Sequence, residues 1–293
     1  MTSHDVVDDV RSLVGRRTKV GHGGTLDPAA AGVLVVCVGW ATRLAEYLLQ
    51  AAKRYRGEVT LGIGTDTQDA EGQVVARADA GSVLAAAAGR AGAGLVGERE
   101  MLPPMHSAVR VQGQRLYDLA RAGQEAPRTP RPVTVYEAEL VAFEAGERAR
   151  LLFDVVCSKG TYVRTLAEDL GRALGVPAHL SFLVRTAVGP HRLRDAATLE
   201  ELHEAGGLTA ALRRPEAAVA HLPALRLSSD EGRQRFCRGN TVSVRAPRDT
   251  AAPRGAVYAV LGPDGELLGT GSLEGEAQRG TAALRPQKVL VQR

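Results

Sequence analysis

Three short stretches hold the residues best suited to chemistry. The first, Gly21-His22-Gly23-Gly24-Thr25-Leu26-Asp27-Pro28, presents one carboxylate, Asp27, among glycines. Pro28 biases Asp27 towards extended backbone, and Gly21, Gly23, Gly24 and Gly32 leave bare main chain where another molecule can approach. A carboxylate held in this way is suited to act as acid, base or nucleophile; taken alone, the same pattern is also an ordinary turn between strands. The second stretch, Lys53-Arg54-Tyr55-Arg56, and the third, Lys159-Gly160-Thr161-Tyr162-Val163-Arg164, each set a tyrosine between cations. A flat ring flanked by positive charge is what stacking on a base beside phosphate requires. Only 6 Tyr, 4 Phe and 1 Trp occur in 293 residues, so this recurrence favours nucleic acid over two unrelated half-buried tyrosines. Arg164, two residues beyond Tyr162 at the start of a helix, can pair with a carboxylate across a site, fixing its rotamer and keeping it ionised. Of the four lysines, Lys53 and Lys159 open the second and third stretches, and Lys19 stands two residues ahead of the first.

The elements that must position these groups are legible from periodicity. Apolar spacing of 3 and 4 predicts helices over residues 3–15, 42–51, 82–97, 161–174 and 198–206, with Gly175 and Pro177 closing the fourth. Alternation predicts strands over 17–20, 33–38, 55–62, 72–76 (paired with 55–62) and 179–186, and a hairpin of 133–143 with 149–157. Hairpins mixed with helices, without a regular strand-helix repeat, predict an α+β fold with a mixed, mainly antiparallel sheet. An alanine- and proline-rich stretch at 213–223 marks a domain boundary, followed by a small, basic, β-rich domain of residues 221–293.

Composition narrows the class of protein. A 44% hydrophobic fraction supports packed cores. No apolar run approaches the ~20 residues a membrane helix needs, and the polar start lacks a signal-peptide pattern, which predicts a cytoplasmic protein. Cys37, Cys157 and Cys237 are distant and odd in number, against a disulfide framework or structural zinc. Residues 222–293 carry 11 Lys and Arg against 7 Asp and Glu, so the whole formal excess of +4 lies there. A second basic window, 105–135, holds Arg110, Arg115, Arg121, Arg128 and Arg131 against Asp118 and Glu125. Such patches suit a polyanion and also suit a solvated face. Metal binding is disfavoured, because His22 has no ligand at metal spacing and Asp66, Asp69 and Glu71 lack a calcium-loop pattern. Neither a phosphate-binding P-loop nor a Gly-x-Ser-x-Gly nucleophile is present.

In combination, GHGGTLDPAAAGVLVVCVGWATR, KRYRGEVTLGIGTDTQDAEG, PPMHSAVRVQGQRLYDLARAG, SKGTYVRTLAEDLG and HLSFLVRTAVG resemble the bacterial tRNA pseudouridine synthase B family. The segment from 221 on is similar to a PUA-type RNA-binding domain. The resemblance implies a pseudouridine synthase fold over residues 1–220, with an RNA-gripping insertion at about 98–132. It implies isomerisation, without a cofactor or metal, of the T-loop uridine at tRNA position 55, through base flipping and an aspartate-dependent rearrangement, by a monomer that needs no membrane. By the same resemblance Asp27 is the essential carboxylate, attacking base or sugar. Tyr55 stacks on the flipped base and serves proton transfer at the sugar, and Arg164 pairs with Asp27. Tyr162 and Leu183 line the pocket, His22 holds the T-loop, Asp69 joins a polar network, and Lys19, Lys53 and Lys159 meet RNA. Family members begin with a strand and a Lys-Pro-x-Gly turn ahead of the Thr-Ser that stands here as Thr2-Ser3. With Met1 as the true start the sheet would lack a strand and expose an edge; the expectation is instead a mis-assigned start, and the alternative is a tRNA-binding or tRNA-folding protein whose catalysis is lost with that strand.

Overall fold

The computed structural model describes residues 1–107, 109–111, 113–124, 126–245, 256–278 and 280–290, with backbone alone at Arg110, Arg115, Arg121 and residues 275–278. Three arginines of the basic window and Glu125 thus lie outside the described side chains or residues. By packing, the chain forms two compact units. One comprises Met1–Thr2, Leu26–Leu34 and Gln50–Asp195; the other comprises Ser3–Thr25, Val35–Leu49 and Ala196–Arg293.

The first unit is built on a seven-stranded sheet. Its order is His191–Arg192, Ala178–Val188, Lys53–Leu61, Arg150–Cys157, Arg131–Glu144, Gly97–Met101, with Ala31–Gly32 also beside Ala178–Val188. Every pairing is antiparallel except that of Ala31–Gly32, so the sheet is mixed and mainly antiparallel. The expected hairpin forms from Arg131–Glu144 and Arg150–Cys157. Period-two alternation turns Val59, Leu61, Leu151, Phe153 and Val155 to one buried face. The helix Val163–Ala173 covers that face with Val163, Leu166, Ala167 and Leu170, spaced to make one apolar stripe. On the opposite face Arg56 binds Asp154 through two nitrogens at 2.7 and 2.8 Å.

Three strand expectations are corrected. The strand expected at 17–20 begins only at Val20 and runs Val20–His22, because the Thr18 amide closes a turn on the Gly15 oxygen at 2.9 Å. Residues 74–77 pair with Ile63–Thr65 rather than with the long strand before it. Gly62, at φ +87°, ends that long strand, and a Cβ there would lie 2.6 Å from the Ala78 oxygen, so the chain turns sharply and starts a separate ribbon. The run 33–38 is extended only at Val36–Val38, because the chain passes between the units at Leu34 to Val35.

In the second unit, a five-stranded sheet has the order Ala224–Arg226, Val257–Leu261, Leu267–Gln278, Thr281–Val289, Val242–Arg245. Val257–Leu261 is apolar on both sides because both are covered. Tyr258 and Val260 join Phe236 of the helix Asp230–Cys237 in one core. Ala259 joins Cys37, Leu44, Tyr47 and Leu48 in another. The Tyr47 hydroxyl, buried there, shares a hydrogen bond of 2.7 Å with Thr270.

Candidate active site

The first unit gathers Asp27, Tyr55, Asp69, Tyr162, Arg164 and Leu183. Arg164 is the hub. It stands in the first turn of the helix Val163–Ala173, where the helix dipole disfavours a cation, and its side chain is only 6% exposed. Two carboxylates and two carbonyls offset that cost. Its Nη1 donates to Asp69 Oδ2 and to the Thr67 oxygen, both at 3.1 Å, and Nη2 donates to the His106 oxygen at 2.9 Å. Its Nε lies 3.1 Å from Asp27 Oδ2. That last contact is an ion pair by distance, yet it lacks hydrogen-bond alignment, since Nε has no aligned acceptor. We read it as an attraction that orients Asp27 without locking it.

The two carboxylates differ in surroundings. Asp69, 15% exposed, also accepts from Thr67 Oγ1 at 2.5 Å and from the Glu71 amide at 3.1 Å, and its backbone bridges to Leu180. Asp27 is 43% exposed on a loop whose turn is closed by the Ala30 amide donating to the Asp27 oxygen at 2.9 Å. One carboxylate is thus structural support, and the other faces outward with a cation behind it.

Tyr55 and Leu183 reach the same place through strand register. Leu183 pairs with Gly57 and Arg185 with Tyr55, so Leu183, Arg185 and Tyr55 share the buried face. Tyr55 and Tyr162 pack against the core that contains Leu183, Val155 and Cys157. Burial pushes the Tyr55 phenol up to about 12; the Arg185 guanidinium and the hydrogen bond it makes pull it back, and the Asp27 charge adds to the rise.

The lysines fare differently. Lys53 is 7% exposed, donates to the Ala51 oxygen at 2.7 Å, and is pushed down to about 8 by burial, then by the charges of Arg185 and Lys159. Lys159 is exposed. Lys19 and His22 belong to the second unit. Lys19 is exposed, and His22 is half-buried, its Nδ1 accepting from the Gly24 amide at 3.3 Å. Among the described residues, no group of three or more His, Cys, Asp or Glu is placed to hold a metal ion, and no helix is long and apolar enough to cross a membrane.

Sequence reasoning missed Arg185, which is 1% exposed. A signal existed, because Arg185 follows Leu183 by two in an apolar strand and must share its face. The His106 and Thr67 carbonyls leave no trace in residue types.

Around the buried Arg164 stand an outward carboxylate, a largely buried phenol and apolar side chains. That combination suits a flat, uncharged ring that must be held, attacked and deprotonated.

The comparisons point the same way. Residues 11–163 match the TruB family pseudouridylate synthase N-terminal domain, and residues 164–222 match the tRNA pseudouridylate synthase B C-terminal domain. The tRNA pseudouridine synthase B of Symbiobacterium thermophilum is 55% identical over 228 residues, covering 78% of this chain and 75% of that protein. That of Moorella thermoacetica is 43% identical over 298 residues, covering 99% and 95%. A solved Cbf5-Nop10-Gar1 complex includes a chain superposing with a TM-score of 0.78 at 28% identity, over 99% of this chain and 82% of the other. An H/ACA RNP bound to a substrate RNA containing 2′-deoxyuridine gives a TM-score of 0.74 at 26% identity, over 100% and 82%.

Proposed function

The chain belongs to the TruB family of pseudouridine synthases, and from that premise we propose that its tRNA uridine isomerisation runs on Asp27, Tyr55 and Arg164. The enzyme is an RNA-uridine isomerase that makes pseudouridine in tRNA. The target is the T-loop uridine at position 55, flipped out of its stack. Flipping costs a few kcal/mol, which stacking on aromatic and apolar side chains offsets. The N-glycosidic bond breaks and carbon 5 bonds to the sugar. The hydrogen on carbon 5 leaves to water and N1 takes a proton, so the reaction balances without oxidant, reductant or cofactor. Asp27 is the essential carboxylate, Tyr55 stacks on the base and serves proton transfer at the sugar, and Arg164 orients Asp27. Tyr162 and Leu183 wall the pocket, and Asp69 braces Arg164. His22 holds the T-loop, and Lys19 and Lys159 meet the RNA backbone, whereas Lys53, buried on the Ala51 oxygen, does not reach it.

By task along the chain, residues 1–220 carry catalysis, the insertion at about 98–132 grips RNA, and residues 221–293 form a PUA-like RNA-binding domain. The compact units described above are divisions by packing. The enzyme works as a cytoplasmic monomer without metal.

The observation that supports this reading most is the ion pair of the buried Arg164 with the exposed Asp27 beside Tyr55. Asp27→Asn tests it: tRNA binding stays within about twofold, while tritium release from 5-tritiated uridine in a single-turnover assay is lost. Retained release would refute the role of Asp27. Binding without release by the wild-type chain would mark a tRNA-binding protein without catalysis.

A further inference from the structure

Arg185 has no role in the reading above, yet its burial demands one. A guanidinium removed from water is costly unless it is paired and hydrogen-bonded, and Arg185 is 1% exposed on the face of the sheet that carries Tyr55 and Leu183.

Its anchoring is specific. Arg185 Nε donates to the Val33 oxygen at 2.7 Å, and the Val33 amide donates back to the Arg185 oxygen at 2.8 Å. Ala31 and Gly32 lie parallel to Val184 and Arg185. Gly32, at φ +109°, comes so close that a Cβ would lie 2.2 Å from the Arg185 oxygen. The chain leaving Asp27 is therefore stitched to Arg185, while the register of the next strand sets Arg185 opposite Tyr55. One residue ties the aspartate loop to the tyrosine strand, and from its place opposite Tyr55 its positive charge offsets part of the rise that burial gives the phenol.

We propose that Arg185 is the positioning residue for Tyr55: it holds the phenol oxygen in register with the Asp27 loop and favours the form of that oxygen that accepts a proton. The inference rests on the proton-transfer role of Tyr55 stated above. A guanidinium is always charged and only donates, so it stabilises a phenolate and occupies a lone pair of the neutral phenol. Other groups around Tyr55 act alongside it. Asp27 from the loop opposes phenolate formation, Cys157 faces it from the other neighbouring strand, and Lys53 stands two residues away on the same strand. Arg185 is the group that counters burial and Asp27 together.

The test places 3,5-difluorotyrosine, whose phenol titrates near neutrality in water, at position 55 of the full chain and follows it by fluorine NMR without RNA. Arg185→Met raises its midpoint by at least about one pH unit, and Arg185→Lys raises it by less. In single turnover with ordinary tyrosine, Arg185→Met lowers the rate at least ~10-fold with tRNA affinity within about twofold, and Arg185→Lys restores part of the rate. If Arg185→Met does not fold, the Arg185→Lys titration decides alone. A midpoint unchanged from wild type overturns the proposal, whatever the rate. The premise fails separately, if Tyr55→Phe keeps the wild-type rate.

Discussion

Replacing Asp69 by Asn separates the support of the site from its chemistry. Asp69 and Asp27 lie at the same 3.1 Å from Arg164, yet their side chains are 15% and 43% exposed. At Asp69 solvent screens little, and a hydrogen bond to a charged partner contributes about 1.5–3 kcal/mol. Asp69→Asn keeps the shape and loses the charge, so it costs about 2 kcal/mol and lowers the melting temperature of the first unit by ~4–8 °C. At Asp27 the exposed pair contributes about 0–1 kcal/mol, and Asp27→Asn leaves the melting temperature almost unmoved. The rates reverse that order. Asp27→Asn abolishes tritium release, whereas Asp69→Asn lets Arg164 pivot on the Thr67 and His106 oxygens, and a displacement of ~1 Å costs about 100-fold. Thermal unfolding and single-turnover release on the same preparations read both quantities. An Asp69→Asn enzyme that melts lower but isomerises at the wild-type rate would refute the claim that Arg164 orientation governs Asp27. An Asp27→Asn enzyme destabilised as much as Asp69→Asn would make Asp27 structural.

Gly32→Ala puts a Cβ 2.2 Å from the Arg185 oxygen at φ +109°, so it destabilises the first unit by about 3 kcal/mol, read as a lower urea midpoint. Lys53 is held at about 8 in the fold against 10.5. The folded chain therefore binds fewer protons between those pH values, and stability rises with pH there, the penalty being complete below about 8. Lys53→Met accordingly gains about 1–3 kcal/mol at pH 7 and flattens the rise between pH 8 and 10.5 in urea titrations. Ending the chain at residue 220 uncovers Leu44, Tyr47 and Leu48, which pack with Ala259, Leu267 and Leu290. The shortened chain is expected to aggregate on gel filtration.

Much of this was legible in residue types. Asp27, Tyr55 and Arg164 drew notice as an isolated carboxylate among glycines and as residues of a stretch with a tyrosine between cations. A turn or a half-buried strand also produces these patterns, and it was their combination with the other motifs that singled them out. The hairpin was legible because alternation runs the whole length of Arg150–Cys157 and through the start of Arg131–Glu144, although two irregularities interrupt the register further along. Other features depend on quantities that a sequence hides. The ribbon 63–77 formed away from the long strand because Gly62 turns the chain, and a lone glycine reads equally as strand, bulge or turn. The support of Arg164 by two carbonyls is invisible, since every residue carries a carbonyl. Lys53 read as an exposed contact because lysine is rarely buried; the alternation that placed Tyr55 inward placed Lys53 inward too.

Among the described residues, the buried charged side chains are Lys53, Arg164 and Arg185, all cations and all in the first unit. Selection for stability alone would replace such residues by apolar ones of similar size. Instead, Arg164 lies against two carboxylates, whereas Lys53 is pushed down by burial and then by the charge of Arg185 on the same face of the sheet. Like charges held together in a poorly solvated place attract an anion, or stabilise one as it forms. The phenol opposite Arg185 is the group able to become that anion without leaving the protein, which is why Tyr55 gains more from this neighbour than a tyrosine that only stacks. On that argument Tyr55→Phe, which keeps the ring and the stacking, should bind tRNA as wild type does and lose at least ~100-fold in single-turnover rate; a loss confined to affinity would reduce Tyr55 to a stacking platform.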